Sequence, residues 1–502
     1  MADFRTKLIT VAGMATVFAG MAFGQATVNG TTGVAANAVF LRAEGTTELV
    51  ANSTVTVNQG AAVATVNLTV YVSPALTITS QVTGAGKVSE TTATPAGGAA
   101  VNGTVSGSTV TFTGLTVPAG AGTTVITISG IRVNASTIAA PTGVPTGVAE
   151  TFFVGGTNIT PIVPNPVTVG YALNGLGAIK AAGQTNNLIC AGSAVTLTNY
   201  TVAVSEGFAT SFRTLADEVG GVAATNGTRL TVSFGNVPAN TAVYVPLTVA
   251  ASAGVGTITA ISSATAATAV GNNAADAKVT GELVPLAAVT IANNAGTAYY
   301  EVTADSLGTV DTFTIPVILV NAAGSLTAPA TAITTTVSFA PIGSATSYPS
   351  FVSGNSTATV NGSTFGACTT TLLFPYVTNA SGFETGLAIA NTSFDALGAK
   401  GASSVATQSG TCVLSFYGNA TASSNPANAT TASIAAGTTF AGTLTSVAGS
   451  NFTGYLIANC NFQFAHAFSY IVYNFGQSSG TAMGYLAEVI PGARGAAEAL
   501  NN

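Results

Sequence analysis

The sequence predicts an all-β chain: tandem Ig-like antiparallel β-sandwich domains followed by a β-rich C-terminal module. Three observations carry this expectation. Apolar and polar residues alternate with a period of two in segment after segment. Thr and Val fill those segments, while Gly, Asn and Pro separate them. A sustained helical period is nearly missing.

Thr65-Val66-Asn67-Leu68-Thr69-Val70-Tyr71-Val72 shows the alternation most clearly. Val66, Leu68, Val70 and Val72 share one face, as in a half-buried strand. The same pattern recurs from Thr109 to Thr113, Thr124 to Ile128, Leu230 to Phe234 and Thr312 to Val317. β-Branched side chains suit a pleated backbone because their χ1 is stiff. Gly, Asn and Pro supply the turns between strands. Only Phe208 to Val219 and the end, Ala493 to Leu500, have a helical character. A faint echo links Val110 to Gly120 with Val232 to Asn240. Each reads as a strand, a Val-Pro-Ala turn and a second strand, about one sandwich apart.

At 502 residues the chain exceeds one core. Pro-rich punctuation at Pro161 to Pro166 and at Leu283 to Pro285, and the Ser/Asn/Gly stretch Ser350 to Phe365, set the expected boundaries. Residues 1–26 are read as a signal peptide. Residues 27–165, 166–285 and 286–365 are read as three sandwiches, and 366–502 as the C-terminal module.

Apolar residues make up 47% of the chain and charged residues only 6%, against about 25% charged in ordinary soluble proteins. That balance excludes intrinsic disorder, which needs few apolar residues and a high net charge. Eleven Lys and Arg are scattered singly among 17 Asp and Glu. Without a basic patch, nucleic acid is not an expected partner, nor is anionic lipid.

Arg5 and Lys7 precede an uncharged stretch from Leu8 to Phe23, and Gly24-Gln25-Ala26 offers small residues for cleavage. This is the form of a secretory signal cut between Ala26 and Thr27; the alternative is an N-terminal membrane anchor. No later segment is long and apolar enough for a transmembrane helix. Four cysteines in an exported chain suggest disulfides, with three possible pairings. Cys412 with Cys460, both in the last module, is the favoured pair, leaving Cys190 with Cys368. Reduced, buried cysteines are the other reading. Neither spacing nor the single histidine, His466, suits a zinc site.

The C-terminal segments are distinctive: Leu372-Leu373-Phe374-Pro375-Tyr376-Val377-Thr378-Asn379, Gly382 to Thr392, Gly410-Thr411-Cys412, Gly454 to His466 and Met483-Gly484-Tyr485-Leu486-Ala487. Together they resemble a family of uncharacterised exported proteins of acidobacterial type. Leu41 to Val50 and Gly130 to Ser136 are similar to N-terminal parts of the same proteins. The resemblance implies export and a β-rich build. It implies no activity and no site residues.

The residues themselves point away from catalysis. A Ser-His-Asp or Cys-His arrangement would have to use His466, and no Gly-x-Ser-x-Gly elbow accompanies it. In the run from Asn461 to Phe468, His466 shares the parity of Phe462, Phe464 and Phe468, which reads as a core or interface histidine. A glycosidase needs two carboxyls across a sugar cleft. Glu44 with Glu48, Asp217 with Glu218, and Asp305 with Asp311 are the close pairs, and all read as solvated surface acids. Calcium at Asp305 to Asp311 lacks an EF-hand or repeat pattern. Tyr299 and Tyr300 are the best sugar-stacking candidates in a chain without Trp. Asn-x-Ser/Thr triplets such as Asn67-Leu68-Thr69 arise readily in such a composition. Catalytic, cofactor and metal residues are therefore expected to be none.

The expected function is a non-enzymatic structural or adhesive protein, extracellular, at the cell surface or in the periplasm. It would self-assemble through β-strand edges or engage other surface proteins. A polysaccharide-binding chain is the alternative, and an extracellular glycoside hydrolase a more remote one.

Overall fold

A computed structural model describes residues 25–29, 33–81, 87–138, 144–160, 166–189, 196–219, 224–266, 268–272, 285–321, 332–356, 358–394, 407–418, 425–474 and 480–490. The protein is all-β. Its strands build three bodies, each around its own apolar core.

The first body holds an eleven-stranded sheet running from Ala26–Asn29 to Val167–Leu173. Ala64–Ser73 buries Ala64, Val66, Leu68, Val70 and Val72 and turns the intervening residues outward, as the alternation predicts. Each of the Val and Leu side chains contributes about 1.5–3 kcal/mol when withdrawn from water. Val28, Val66, Phe112, Val148 and Val167, from five strands of this sheet, belong to one buried apolar cluster. A two-stranded ribbon, Glu48–Leu49 with Arg132–Val133, lies beside it.

The second body spans Leu176 to Ala367 and interleaves its strands. Thr196–Glu206 runs antiparallel to Thr312–Asn321. Arg229–Gly235 sits between Gly296–Ala304 and Ala332–Ala340. The separate sandwiches expected at 166–285 and 286–365 are thus one hydrogen-bonded body. The boundary expected at 165 also moves. Val167–Leu173 pairs with Thr146–Thr157 and Gly33–Arg42, so the first body ends at Leu173. Strand partners are chosen by long-range packing that local punctuation does not encode. Three pairs depart from the antiparallel expectation: Ala26–Asn29 with Ile159–Thr160, Gly33–Arg42 with Val167–Leu173, and Asn186–Ile189 with Thr359–Ala367.

The two strands of each Val-Pro-Ala echo are not hydrogen-bonded to one another. Both turns instead carry the chain across to a non-neighbouring strand. The helical stretch near Phe208 reduces to Leu215–Val219. A second short helix, Leu444–Ala448, was not anticipated; Thr443 caps it through the Ser446 N–H. The end from Ala493 to Leu500 and most of the signal segment lie outside the described residues. Ala26 and Thr27 open the first strand, with Ala26 buried.

The C-terminal module packs a five-stranded and a four-stranded sheet around Leu372, Phe374, Leu387, Leu414 and Leu456. Cys412 and Cys460 face one another on paired strands and form a disulfide. Cys368 directly follows Ala367 and is also disulfide-bonded; Cys190 lies outside the described residues.

Glu150 is a buried carboxyl in the first core, with the Ser53 hydroxyl as its partner. Burial raises its pKa from 4.5 to about 7, and the Ser53 hydrogen bond only partly opposes this. Between those values the folded chain keeps a proton that the unfolded chain has released. Its contribution to stability is therefore complete below pH 4.5 and lost as pH rises through 7. Such a shift corresponds to about 3 kcal/mol. Glu150→Gln should gain stability relative to the parent as pH rises from 5 to 8. Urea denaturation at both pH values measures this; an unchanged difference would show that Glu150 titrates normally.

Candidate functional site

Only Asn174 and Gly175 separate the last strand of the first body from the first strand of the second. At this junction the segment Leu41 to Val50 does most of the joining. Arg42 is fully buried. Its Nε lies 2.8 Å from Glu48 in the first body, and its Nη2 lies 2.8 Å from Glu218 in the second. Its Nη1 donates to the Ser211 carbonyl at 3.1 Å and to Thr228 Oγ1 at 2.9 Å. The guanidinium stands 5.0 Å above the Phe351 ring, which stacks on Phe339. Burial alone would lower the Arg42 pKa, but Glu218 and Glu48 outweigh it and hold it above its ordinary value.

Neighbouring residues fasten the same joint. Glu44 accepts the Gly175 N–H at 2.8 Å. Burial raises the Glu44 carboxyl, opposed by the Gly175 and Leu176 N–H groups. A Cβ on Gly175 would stand 2.7 Å from the Arg42 chain and 2.9 Å from Phe339, so only glycine fits between them. Thr46 N–H donates to the Ser350 carbonyl at 2.8 Å, and Ser350 N–H to Thr47 Oγ1 at 2.9 Å. Arg132 donates to the Thr47 carbonyl at 3.1 Å, approaches Glu90 at 3.3 Å and lies over the Tyr348 ring. The segments Leu41 to Val50 and Gly130 to Ser136 therefore meet at one place.

Several expectations change here. Glu48 and Glu218 are buried ion-pair partners, not solvated acids. Asp311 and Glu206 are buried as well. Tyr300 is no sugar platform: it is fully buried and donates to the Pro246 carbonyl at 2.8 Å. His466 is exposed rather than in the core. In Ala465–Tyr473, Ala465, Ala467 and Ser469 point inward, while His466 and Phe468 point out. The run does not share one face: Phe462 is buried, whereas Phe464, His466 and Phe468 are exposed, because the backbone turns at Phe464, whose φ is 62°. Ala467 and Ser469 pair with Ile389 and Leu387, whose bulk already fills the core.

The module also exposes two surfaces that sequence reasoning did not locate. One is an apolar groove of about 510 Å³ lined by Tyr376, Phe383, Ile471, Tyr473, Met483 and Tyr485. It borders Thr481–Leu486, one of the two edge strands of the four-stranded sheet among the described residues. Met483 and Leu486 are 77% and 76% exposed, and the strand contains no charge and no proline. The other is a cleft of about 550 Å³ with Thr371, Asn459, Gln463, Phe464, His466 and Val489 in its wall. No acid or cysteine lines it among the described residues. The single outward apolar residues of each gave no signal, because isolated exposed apolar residues are common on any protein.

No protein-family model matches the chain, and no curated protein matches it. Among solved structures, a variant of BcpA, the major pilin subunit of Bacillus cereus, is similar at 8% identity, covering 80% of this chain and 89% of that one, with a TM-score of 0.23. The CupB6 tip adhesin from Pseudomonas aeruginosa is 10% identical, covering 68% of this chain and 98% of that one, with a TM-score of 0.18. The major pilin SpaD from Corynebacterium diphtheriae is 10% identical, covering 74% and 76%, with a TM-score of 0.20. At these identities and scores the likeness lends no weight to a functional assignment.

Arg42→Met should strand Glu48 as a buried charge without its cation and leave Glu218 to the more distant Arg213, at 3.7 Å, and cost about 3–5 kcal/mol. The first two bodies should then unfold in separate transitions on chemical denaturation. A single transition at the parent midpoint would show that the joint does not depend on this residue.

Proposed function

We propose that the protein is an exported, non-enzymatic structural or adhesive component that pairs with a second copy through the edge strand Thr481–Leu486. The observation that carries this reading is the outer edge of that strand, with which no strand pairs among the described residues. Natural edge strands are commonly protected by Lys, by proline, by bulges or by cover. Thr481–Leu486 has neither charge nor proline, and it presents Met483 and Leu486 to solvent. An incoming strand would complete the backbone ladder by β-augmentation. The adjacent groove, with Tyr376, Phe383 and Tyr473, would receive alternate apolar side chains of that strand. Low charge removes the mutual repulsion that would keep copies apart. The acidobacterial-type resemblance, which implies export, accords with this reading.

A second reading rests on the cleft beside His466. Its hydroxyl and amide groups, with Phe464 39% exposed at the wall, match the chemistry of a neutral saccharide. Phe464 holds φ at 62°, which turns its backbone between the buried Phe462 and Ala465.

The two readings separate by experiment. Light scattering and electron microscopy of the purified exported chain should show concentration-dependent assemblies. Met483→Glu with Leu486→Lys should leave circular dichroism unchanged and weaken association at least about tenfold, the scale of 1.4 kcal/mol. A monomeric parent, or assembly indifferent to these changes, would rule out the edge-strand proposal. Glycan-array binding that disappears in Phe464→Ala would establish the saccharide reading; binding unaffected by that change would place any glycan elsewhere.

A further inference from the structure

At one end of the second body, three segments bring carboxylates together. Glu206 ends the strand Thr196–Glu206, Asp305 follows Gly296–Ala304, and Asp311 precedes Thr312–Asn321. One oxygen from each lies within 4.8 Å of the others. Two oxygens bound to one calcium ion at about 2.4 Å can be no farther apart than about that distance. We propose that Glu206, Asp305 and Asp311 form a binding site for a divalent cation of calcium type.

The hydrogen bonding is arranged for a ligand rather than for closure. Asp311 is fully buried. Its Oδ1 accepts the Val255 N–H at 3.0 Å, but its Oδ2 has no hydrogen-bond partner. Asp305 repeats this: Oδ1 accepts the Ser306 N–H at 2.7 Å, and the buried Oδ2 has none. Glu206 is fixed by the Phe212 N–H at 2.6 Å and the Asp311 N–H at 2.8 Å. A buried acceptor left unpaired is costly, and a buried carboxylate more so. No Lys or Arg pairs with any of the three among the described residues. Desolvation raises both Glu206 and Asp305, and the nearby Asp311 carboxyl raises Asp305 further, so the two aspartates can share a proton that a bound cation would replace.

The backbone is shaped to admit the cluster. A Cβ on Gly254 would stand 1.6 Å from Asp311 Oδ1, and one on Gly256 1.9 Å from Oδ2. Only glycine permits this approach, and Gly254 also holds φ at +89°. Three hard oxygen donors suit calcium, which accepts irregular shells of six to eight oxygens. Asp305 is half-buried, so water can complete the shell from its side. Magnesium, with its stricter octahedron, fits less well.

The site would also stiffen the joint. Glu206 holds the loop that follows it through Phe212 N–H, and the preceding Ser211 carbonyl receives Arg42. The inference is independent of the self-assembly reading.

Calcium titration of the full exported chain by calorimetry, with tyrosine-sensitised terbium luminescence as a second readout, tests it. One site with a dissociation constant on the order of 0.1–1 mM is expected, the range of extracellular modules. Saturating calcium should raise Tm over that in EDTA by about 4 °C or more. Asp305→Asn, at a half-buried position, should keep the fold and weaken binding at least about tenfold; Asp311→Asn should abolish the calcium-dependent Tm shift. Absence of binding heat with equal Tm in calcium and EDTA would overturn the proposal. So would parent-like binding in Asp305→Asn.

Discussion

The arrangement of the first two bodies depends on one buried cation shared between two carboxylates. Arg42 and Glu48 belong to the first body, and Glu218 to the second. A buried ion pair is weak evidence of net stability, because desolvation offsets most of the attraction. Its value lies in what it forbids. If the second body rotated away, Arg42 would lose Glu218, Thr228 and the Ser211 carbonyl together. A greasy interface of Phe339 and Phe351 alone could slide; the guanidinium, with fixed donor directions, cannot. Glycine at 175 lets the chain pass close enough for both to operate.

The strands were legible because burial on one face imposes a period of two that survives without any partner in view. Val66, Leu68, Val70 and Val72 announce their face locally. Partner choice does not announce itself. Thr196–Glu206 and Thr312–Asn321 are more than 100 residues apart in sequence and pair along their full length. The segment Leu283 to Pro285 between them reads as a boundary in sequence, yet the strands before and after it belong to one hydrogen-bonded body. The run around His466 shows the same limit on a smaller scale. Alternation fixes which residues share a face, but Leu387 and Ile389 across the ladder decide which face is inside.

The buried acids were misread for a related reason. Acids are normally solvated, and nothing next to Glu48 or Glu218 in sequence reveals their shared partner. The relevant cue was indirect: Arg42, Glu44 and Glu48 form a local concentration of charge in a chain that otherwise has very little. Such a cluster in a charge-poor chain is poorly explained by solubility. The same segment meets Gly130 to Ser136 at the joint, where Arg132 donates to the Thr47 carbonyl.

The protein carries little charge, and among the described residues eight of its charged side chains are buried: Arg42, Glu48, Arg132, Glu150, Glu206, Glu218, Arg229 and Asp311. The charges that remain outside are too few to steer partners over long distances or to hold copies apart. Contact must then be decided at short range, by backbone hydrogen bonds, hydroxyls, amides and exposed apolar side chains. Under that constraint a free strand edge becomes the most directional feature available, because its N–H and C=O groups fix the register of whatever binds. Salt should have little influence on such contacts, since screening acts on charges that are not there. The interior uses its charges to fix geometry, and the surface, left neutral, is suited to contact with surfaces as neutral as itself.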